Sequence, residues 1–436
     1  MRKKDEQITV QKFEQKRFDF SPLVKFWLII YLFFLMYQPT IMPINILHVC
    51  TLIACALLLI KGVRPQGERY FLYFYAVLFV LFAFTQAINK DLNLVNIYGQ
   101  IFTVVELFLC AAYVICECKA HRFNVVDMLD MLIVVALLQS VLALFAFVDT
   151  DIQVKFLTLR LKNTDYNDVL MGHLAKHRMY GFCTSYTFAM PLFHGVMTIV
   201  ALYLYLAEGH IWRLAVTVPI VFAGLINARN IVTILLVGFV IVVLFGIRAK
   251  YSWKRVIITV VSAVLLFFVL IKGMEFIEKT NPKTYKWLMD GIEEIKMFLK
   301  GENEGYFSYL ARKIKLGEIT DAEFMFGIGR FIMGNPYNGY ESDVGFVNYI
   351  YFGGIVYSWV LYAGILSVLI FNALKGKHSQ FLSLILLAAF VLGNIKGMVF
   401  GNNEIMTLFC LAHIARLNLS EGSHERELVK RNYSRL

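Results

Sequence analysis

Charge is scarce in this sequence: Asp, Glu, Lys and Arg make up 17% of its 436 residues, against about a quarter in soluble globular domains. Apolar residues fill the deficit at 59%, and the mean hydropathy is +0.64. There is no HExxH, no Cys/His cluster and no acidic triad with metal-ligand spacing, so neither a metal nor a cofactor is demanded. The seven cysteines form no disulfide framework. Cys50, Cys55, Cys110 and Cys410 fall inside apolar runs, Cys116 and Cys118 at the end of one, and only Cys183 lies where an extracytoplasmic segment is expected. No internal repeat or low-complexity stretch is evident, which weakens a transporter reading, since many transporters are built from repeats.

What is present is a series of apolar runs. Windows of about 19 residues find them near 23–38, 43–61, 70–88, 97–116, 128–148, 186–206, 212–228, 230–247, 255–272, 344–371, 380–400 and 402–417. Alternate short connections are basic: Lys61, Arg64 and Arg69; Lys119 and Arg122; His210 and Arg213; Arg248, Lys250, Lys254 and Arg255; Lys375 and Lys377; and Arg416 with the tail. The opposite turns, such as 89–96 and 401–403, carry almost no positive charge. By the positive-inside rule this predicts an all-α membrane bundle of about twelve spans with both termini cytoplasmic. Tails are expected at 1–22 and 418–436, the first being too charged for a signal peptide. The net charge of +11 follows from the same bias, and a nucleic-acid partner is excluded.

Two long connections fall on the outer side, at about 149–185 and 273–343, and long loops in compact folds usually carry function. In the second, Tyr285, Leu288, Ile292, Ile295, Phe298 and Leu299 recur at three or four residues, which predicts an amphipathic helix lying on the membrane or capping the bundle. Charges near membrane depth are costly and point to function. Arg229 sits in Asn227-Ala228-Arg229-Asn230, a polar knot between two runs at the outer ends of the seventh and eighth spans. An anionic ligand or an acidic partner within the bundle would offset its cost. Arg178 precedes the sixth span, and Arg330 follows Phe326-Gly327-Ile328-Gly329, whose backbone N–H groups could also face an anion. Arginine suits phosphate because its planar fork donates parallel hydrogen bonds and stays charged.

The acidic stretch Glu341-Ser342-Asp343 leads into the tenth run. Ser342 or Asp343 could cap that helix, or a carboxylate there could accept a hydroxyl proton. Asp165 and Asp168 in the first outer loop are alternatives. Among residues inside the runs, Glu106 and Lys396 are the costliest, and pair with each other or with polar groups of the bundle.

This pattern resembles the Wzy-type O-antigen and capsular polysaccharide polymerases of the O-antigen ligase/polymerase superfamily. The resemblance rests on the span layout, the two unequal outer loops, Arg178 before a span containing Pro191, and Arg229 at the next outer turn. It rests most on Phe326-Gly327-Ile328-Gly329 followed by Ser342-Asp343-x-Gly345 and Gly353-Gly354. It implies a GT-C-like fold in a bacterial inner membrane, acting on undecaprenyl-diphosphate-linked oligosaccharide. Arg178, Arg229 and Arg330 would hold the diphosphate, Asp343 or Glu341 would orient or deprotonate the acceptor, and Tyr180, Asn230 and Ser342 would complete the substrate site. A chain-length regulator and a flippase are the implied partners, besides membrane lipid. Ligases of the superfamily carry a His-Asn pair where this chain reads Ser342-Asp343, which favours the polymerase. A flippase or secondary transporter is the alternative from another class, but it should hold its charges near the bilayer midplane.

Overall fold

In a computed structural model, the described residues are 21–39, 45–62, 68–89, 102–149, 151–153, 155–156, 178–183, 188–301 and 312–421. Most of the expected tails, Arg64, the turn after Asn89, Asp165 and Asp168 lie outside them. The described residues are mostly helical and contain no strand beyond the isolated bridge Tyr337–Tyr340. Every apolar run coincides with a helix: α1 (Ser21–Tyr37), α2 (Ile46–Lys61), α3 (Glu68–Asn89), α4 (Thr103–Ala120), α5 (Val125–Val148), α6 (Ala189–Glu208), the pair α7 (Trp212–Ala215) and α8 (Thr217–Asn227), α9 (Asn230–Arg248), α10 (Trp253–Thr280), α13 (Gly345–Ala373), α14 (Lys377–Lys396) and α15 (Glu404–Asn418). Between α10 and α13 lie α11 (Pro282–Leu299) and the short α12 (Asp321–Phe326). Seven helices (α3, α5, α6, α9, α10, α13 and α14) are long and apolar enough to cross a membrane.

The helices form one bundle around α6, whose apolar window is wholly enclosed by protein. Lipid tails are as apolar as side chains, so association in a membrane depends on close packing rather than on escape from water. Glycines supply that closeness. A Cβ on Gly195 of α6 would stand 2.2 Å from Ile234 of α9, and one on Gly238 of α9 would stand 2.5 Å from Ile199 of α6. The opposite requirement appears on the outer helices, where Leu236, Leu244, Phe267 and Phe268 are exposed, as lipid-facing residues should be.

One charge is neutralised inside the bundle. Arg213 on α7 is fully buried and donates Nε to Asp130 Oδ1 at 2.8 Å and Nη2 to Oδ2 at 2.7 Å. Its Nη1 donates to the Leu204 carbonyl at 2.9 Å, so each guanidinium nitrogen donates one hydrogen bond. Of the two partners expected for Glu106, Lys396 or another polar group of the bundle, the structure gives the second: His48 Nδ1 lies 2.6 Å from its carboxylate.

α13 is broken where Gly354 adopts φ 77° and ψ 179°, a backbone region reserved for glycine. The break frees the carbonyls of Tyr351 and Phe352. Ile328 N–H donates to Tyr351 at 2.6 Å and Gly329 N–H to Phe352 at 3.1 Å. In the Gly327-x-Gly329 turn, whose amides were expected to face an anion, those of Ile328 and Gly329 therefore satisfy the broken helix, and that of Gly327 donates to the Glu323 carbonyl at 2.7 Å. A Cβ on Gly327 would lie 2.5 Å from the Gly354 nitrogen, and one on Gly354 would lie 2.2 Å from the Met325 carbonyl oxygen. From α3, Thr85 Oγ1, Asn89 Nδ2 and Gln86 Nε2 donate to the carbonyls of Phe326, Gly327 and Gly329. Irregular backbone in the bundle persists because its polar groups are paired in this way.

Candidate functional site

The segment Arg178–Cys183 is held through its backbone. Met179 N–H donates to the Ile226 carbonyl at 3.3 Å, and Asn227 Nδ2 to the Met179 carbonyl at 2.9 Å. Gln153 Nε2 donates to the Arg178 carbonyl at 3.1 Å, and Gln139 Nε2 to that of Tyr180 at 2.7 Å. Gly181 has φ +55°, with Gln139 Nε2 only 2.8 Å from where a Cβ would stand. Cys183 Sγ donates to Glu404 Oε1 at 3.1 Å. The Tyr180 side chain is buried beneath this segment.

Arg229 stands where α8 ends and α9 begins, after Ala228 turns to extended backbone (φ −157°). Asn230 Nδ2 donates to the Phe188 carbonyl at 3.1 Å, while its Oδ1 is buried with no hydrogen-bond partner among the described residues. The expected amphipathic helix is α11, beginning at Pro282. Asn281 Oδ1 accepts from Thr284 N–H at 3.1 Å, and Thr284 and Leu288 are buried. Residues 287, 291 and 294, spaced i, i+4 and i+7, share the face that meets Arg229. The guanidinium carbons of Arg178 and Arg229 each lie 5.0 Å from the centre of the Trp287 ring. A Cβ on Gly291 would lie 2.0 Å from Arg229 Nη1, and Glu294 Oε2 accepts from Nη1 at 3.1 Å. Of the two readings of Arg229 open in the sequence, the acidic partner is thus present in this arrangement.

Lys396, the last residue of α14, lies within electrostatic range of Arg178, Asp343, Arg229 and Glu294. Gly345, two residues after Asp343, packs on the residue that follows Lys396: a Cβ there would stand 2.1 Å from the Gly397 carbonyl oxygen. Asp343 is partly buried, and among the described residues no hydrogen bond reaches its carboxylate. Val344, at the head of α13, has no side-chain cap, so neither Asp343 nor Ser342 caps this helix in the usual way. The buried Ser342 hydroxyl donates to the Lys313 carbonyl at 2.7 Å and accepts from Val344 N–H at 3.1 Å.

A buried asparagine sets the position of this acidic segment. Asn348 Oδ1 accepts from Ile332 and Met333 N–H at 3.0 Å each, and Nδ2 donates to the carbonyls of Ser342 at 2.7 Å and Val344 at 3.0 Å. Glu341 turns the other way: its Oε1 accepts from Gly334 N–H at 2.9 Å. Arg330 stands apart from the Trp287 group, with its guanidinium 5.5 Å from the centre of the Tyr337 ring. The Tyr337 hydroxyl donates to Glu323 Oε1, and with the Thr320 backbone N–H this holds the Glu323 carboxyl below its ordinary range. The same bond raises the Tyr337 hydroxyl above its own.

Arg178, Arg229, Lys396 and Asp343 therefore converge from four parts of the chain, covered by Trp287 and Glu294. Lys396 stood out in the sequence as a costly charge without a role, whereas Trp287, Glu294 and Asn348 did not stand out. Trp287 and Glu294 share one face of a helix that was legible, but nothing local ties them to Arg229. Three cations beside two carboxylates, Asp343 and Glu294, leave a net positive charge that suits an anion, and the arginine forks supply donors for it. Among the described residues no group of three His, Cys, Asp or Glu is placed to hold a metal ion. No protein-family model matches the chain, and no curated protein matches it.

Proposed function

We propose that this chain is a membrane glycosyltransferase: a polysaccharide polymerase acting on the extracytoplasmic face of a bacterial inner membrane. It transfers a growing glycan from undecaprenyl diphosphate to the sugar of a new undecaprenyl-diphosphate-linked repeat unit, in O-antigen or capsule synthesis. In this reading all twelve apolar runs span the membrane, the bundle is GT-C-like, and both termini are cytoplasmic. The supporting observation is that Arg178, Arg229 and Lys396 gather with Asp343 at helix ends rather than at mid-helix.

The chemistry follows from those charges. A hydroxyl oxygen of the acceptor attacks the anomeric carbon of the donor glycan, and the bond from that carbon to the diphosphate oxygen breaks. The electron pair leaves with the diphosphate, where Arg178, Arg229 and Lys396 neutralise the developing charge. The hydroxyl proton passes to Asp343. Of the two acids expected from the sequence, Asp343 suits this role better, because Glu341 already accepts from Gly334 N–H. Tyr180 and Asn230 lie in the segments bearing Arg178 and Arg229, and Ser342 fixes the backbone before Asp343. Arg330 stacks on Tyr337, so in this reading it meets the glycan rather than the diphosphate.

Purified protein given synthetic lipid-diphosphate repeat units should produce a ladder of longer glycans. Binding or translocation of the same lipid with no ladder refutes the polymerase and favours a flippase. Transfer of one glycan to a lipid A core acceptor, without a ladder, favours a ligase.

A further inference from the structure

We infer that α11 is a displaceable lid, with Glu294 serving as an internal anion that occupies Arg229 until the ligand's anionic headgroup replaces it. This deepens the diphosphate reading of the same site and rests on it.

Three residues at helical spacing close the site from one side. Trp287 covers both guanidinium groups, each 5.0 Å from its ring centre. Gly291 presents bare backbone to Arg229, since a Cβ would stand 2.0 Å from Nη1 and 2.4 Å from Cδ. Glu294 accepts from Nη1 at 3.1 Å. With helix backbone in van der Waals contact with Arg229, the side of the fork that faces α11 is closed to a diphosphate. A ligand takes the place of Glu294 on that side only if α11 moves. The Arg229–Glu294 pair suits a latch because both side chains keep partial exposure, 32% and 24%, and partly hydrated pairs exchange partners at low cost. The Arg213–Asp130 pair is the contrast: all three guanidinium nitrogens donate and the arginine side chain is 2% exposed, as befits a fixed strut. Attachment of α11 is uneven. Thr284, Leu288 and Gly291 are buried along one face, while Ile292 beside Gly291 is 43% exposed, so the helix is held along a single narrow stripe.

Glu294 also keeps the cationic group from standing uncompensated at the membrane surface between ligands. A neutral molecule cannot displace it, because breaking the pair would leave Arg229 without a counter-charge. An anion replaces one charge-assisted contact with another and adds its attraction to Arg178 and Lys396.

Backbone hydrogen exchange of the full-length protein in lipid nanodiscs tests this with three probes: farnesyl diphosphate, inorganic diphosphate and farnesol. Farnesyl diphosphate should slow exchange in 178–183 and speed it in 282–299. The same response to inorganic diphosphate supports the inference with the headgroup as the whole recognition element. A response confined to the farnesyl compound supports it with a lipid ligand. A response to farnesol alone overturns it. Glu294→Gln should raise exchange in ligand-free 282–299 and tighten farnesyl diphosphate binding about three- to tenfold. Gly291→Ala should raise the ligand-free exchange by contact alone, with Glu294 intact. If 178–183 is protected while 282–299 is protected or unchanged, the lid is refuted and the diphosphate site stands. If neither diphosphate changes any exchange in wild type or in Glu294→Gln, both fail.

Discussion

Replacing Asn348 with leucine tests how the acidic segment is positioned. Leucine matches asparagine closely in shape but supplies neither acceptor nor donor. Four hydrogen bonds disappear, at 2.7 to 3.0 Å in the native protein. The loss is not uniform. Val344 O still accepts from the helix amide of residue 348, so that carbonyl keeps a partner. The Ile332 amide and the Ser342 carbonyl belong to residues with no exposed surface, and water does not replace the missing partner. Each buried orphan costs about 1–3 kcal/mol, which gives about 2–6 kcal/mol in all. That is a large share of the roughly 5–15 kcal/mol that holds a typical domain together. The cheapest relief is local release of residues 330–344 rather than unfolding of the bundle, since α13 beyond Gly354 keeps its packing. Hydrogen exchange at Ile332 and Met333 should therefore accelerate at least about thirtyfold, as 2 kcal/mol requires, with little change in α6. Asn348→Asp separates the two halves of the network: its carboxylate still accepts from both amides, so their protection should persist while Asp343 loses its anchor. Unchanged exchange at Ile332 and Met333 in Asn348→Leu would refute the reasoning.

Gly354→Ala places a Cβ 2.2 Å from the Met325 carbonyl oxygen at φ +77°, so monodisperse yield should collapse; Gly334→Ala, at φ +70° with open space around it, should cost only about 1–2 kcal/mol in a thermal unfolding assay. Asp130→Ala leaves the buried Arg213 guanidinium uncompensated and should destabilise by about 3–5 kcal/mol, whereas Asp130→Leu with Arg213→Met should recover most of the loss in the same assay. Glu323 contributes stability above the ordinary carboxylate pKa and loses it as pH falls through its lowered value, because the folded state favours the charged form. Proteolysis of the 312–345 loop should therefore stay slow through mildly acid pH, and Tyr337→Phe should move the acid onset of cleavage upward.

Hydropathy revealed the helices because a lipid-facing or bundle-facing segment must bury its backbone polar groups and be apolar throughout. α10 is the instructive mismatch: its apolar run ends near 272, yet the helix continues to Thr280. Lys272 and Glu275 pair at 2.7 Å across one turn, which extends a helix without extending hydropathy. The amphipathic helix was legible from its spacing, but its target was not. Glu294 meets an arginine 65 positions away, and no local pattern records such a meeting. Gly327 and Gly329 announced a tight turn, whereas its purpose depended on a distant third glycine, Gly354, that breaks α13. Asn348 is one polar residue in an apolar run, and its four bonds exist only because two loop segments return to it.

The central claim is a diphosphate site built from Arg178, Arg229 and Lys396. Its most direct test is equilibrium binding of farnesyl diphosphate to the purified protein, compared with Arg178→Gln/Arg229→Gln. Loss of two forks, each charge-assisted contact contributing about 1.5–3 kcal/mol, predicts affinity weakened by at least about a hundredfold, with no change toward farnesol. Equal affinity for farnesyl diphosphate in the two proteins would contradict the account.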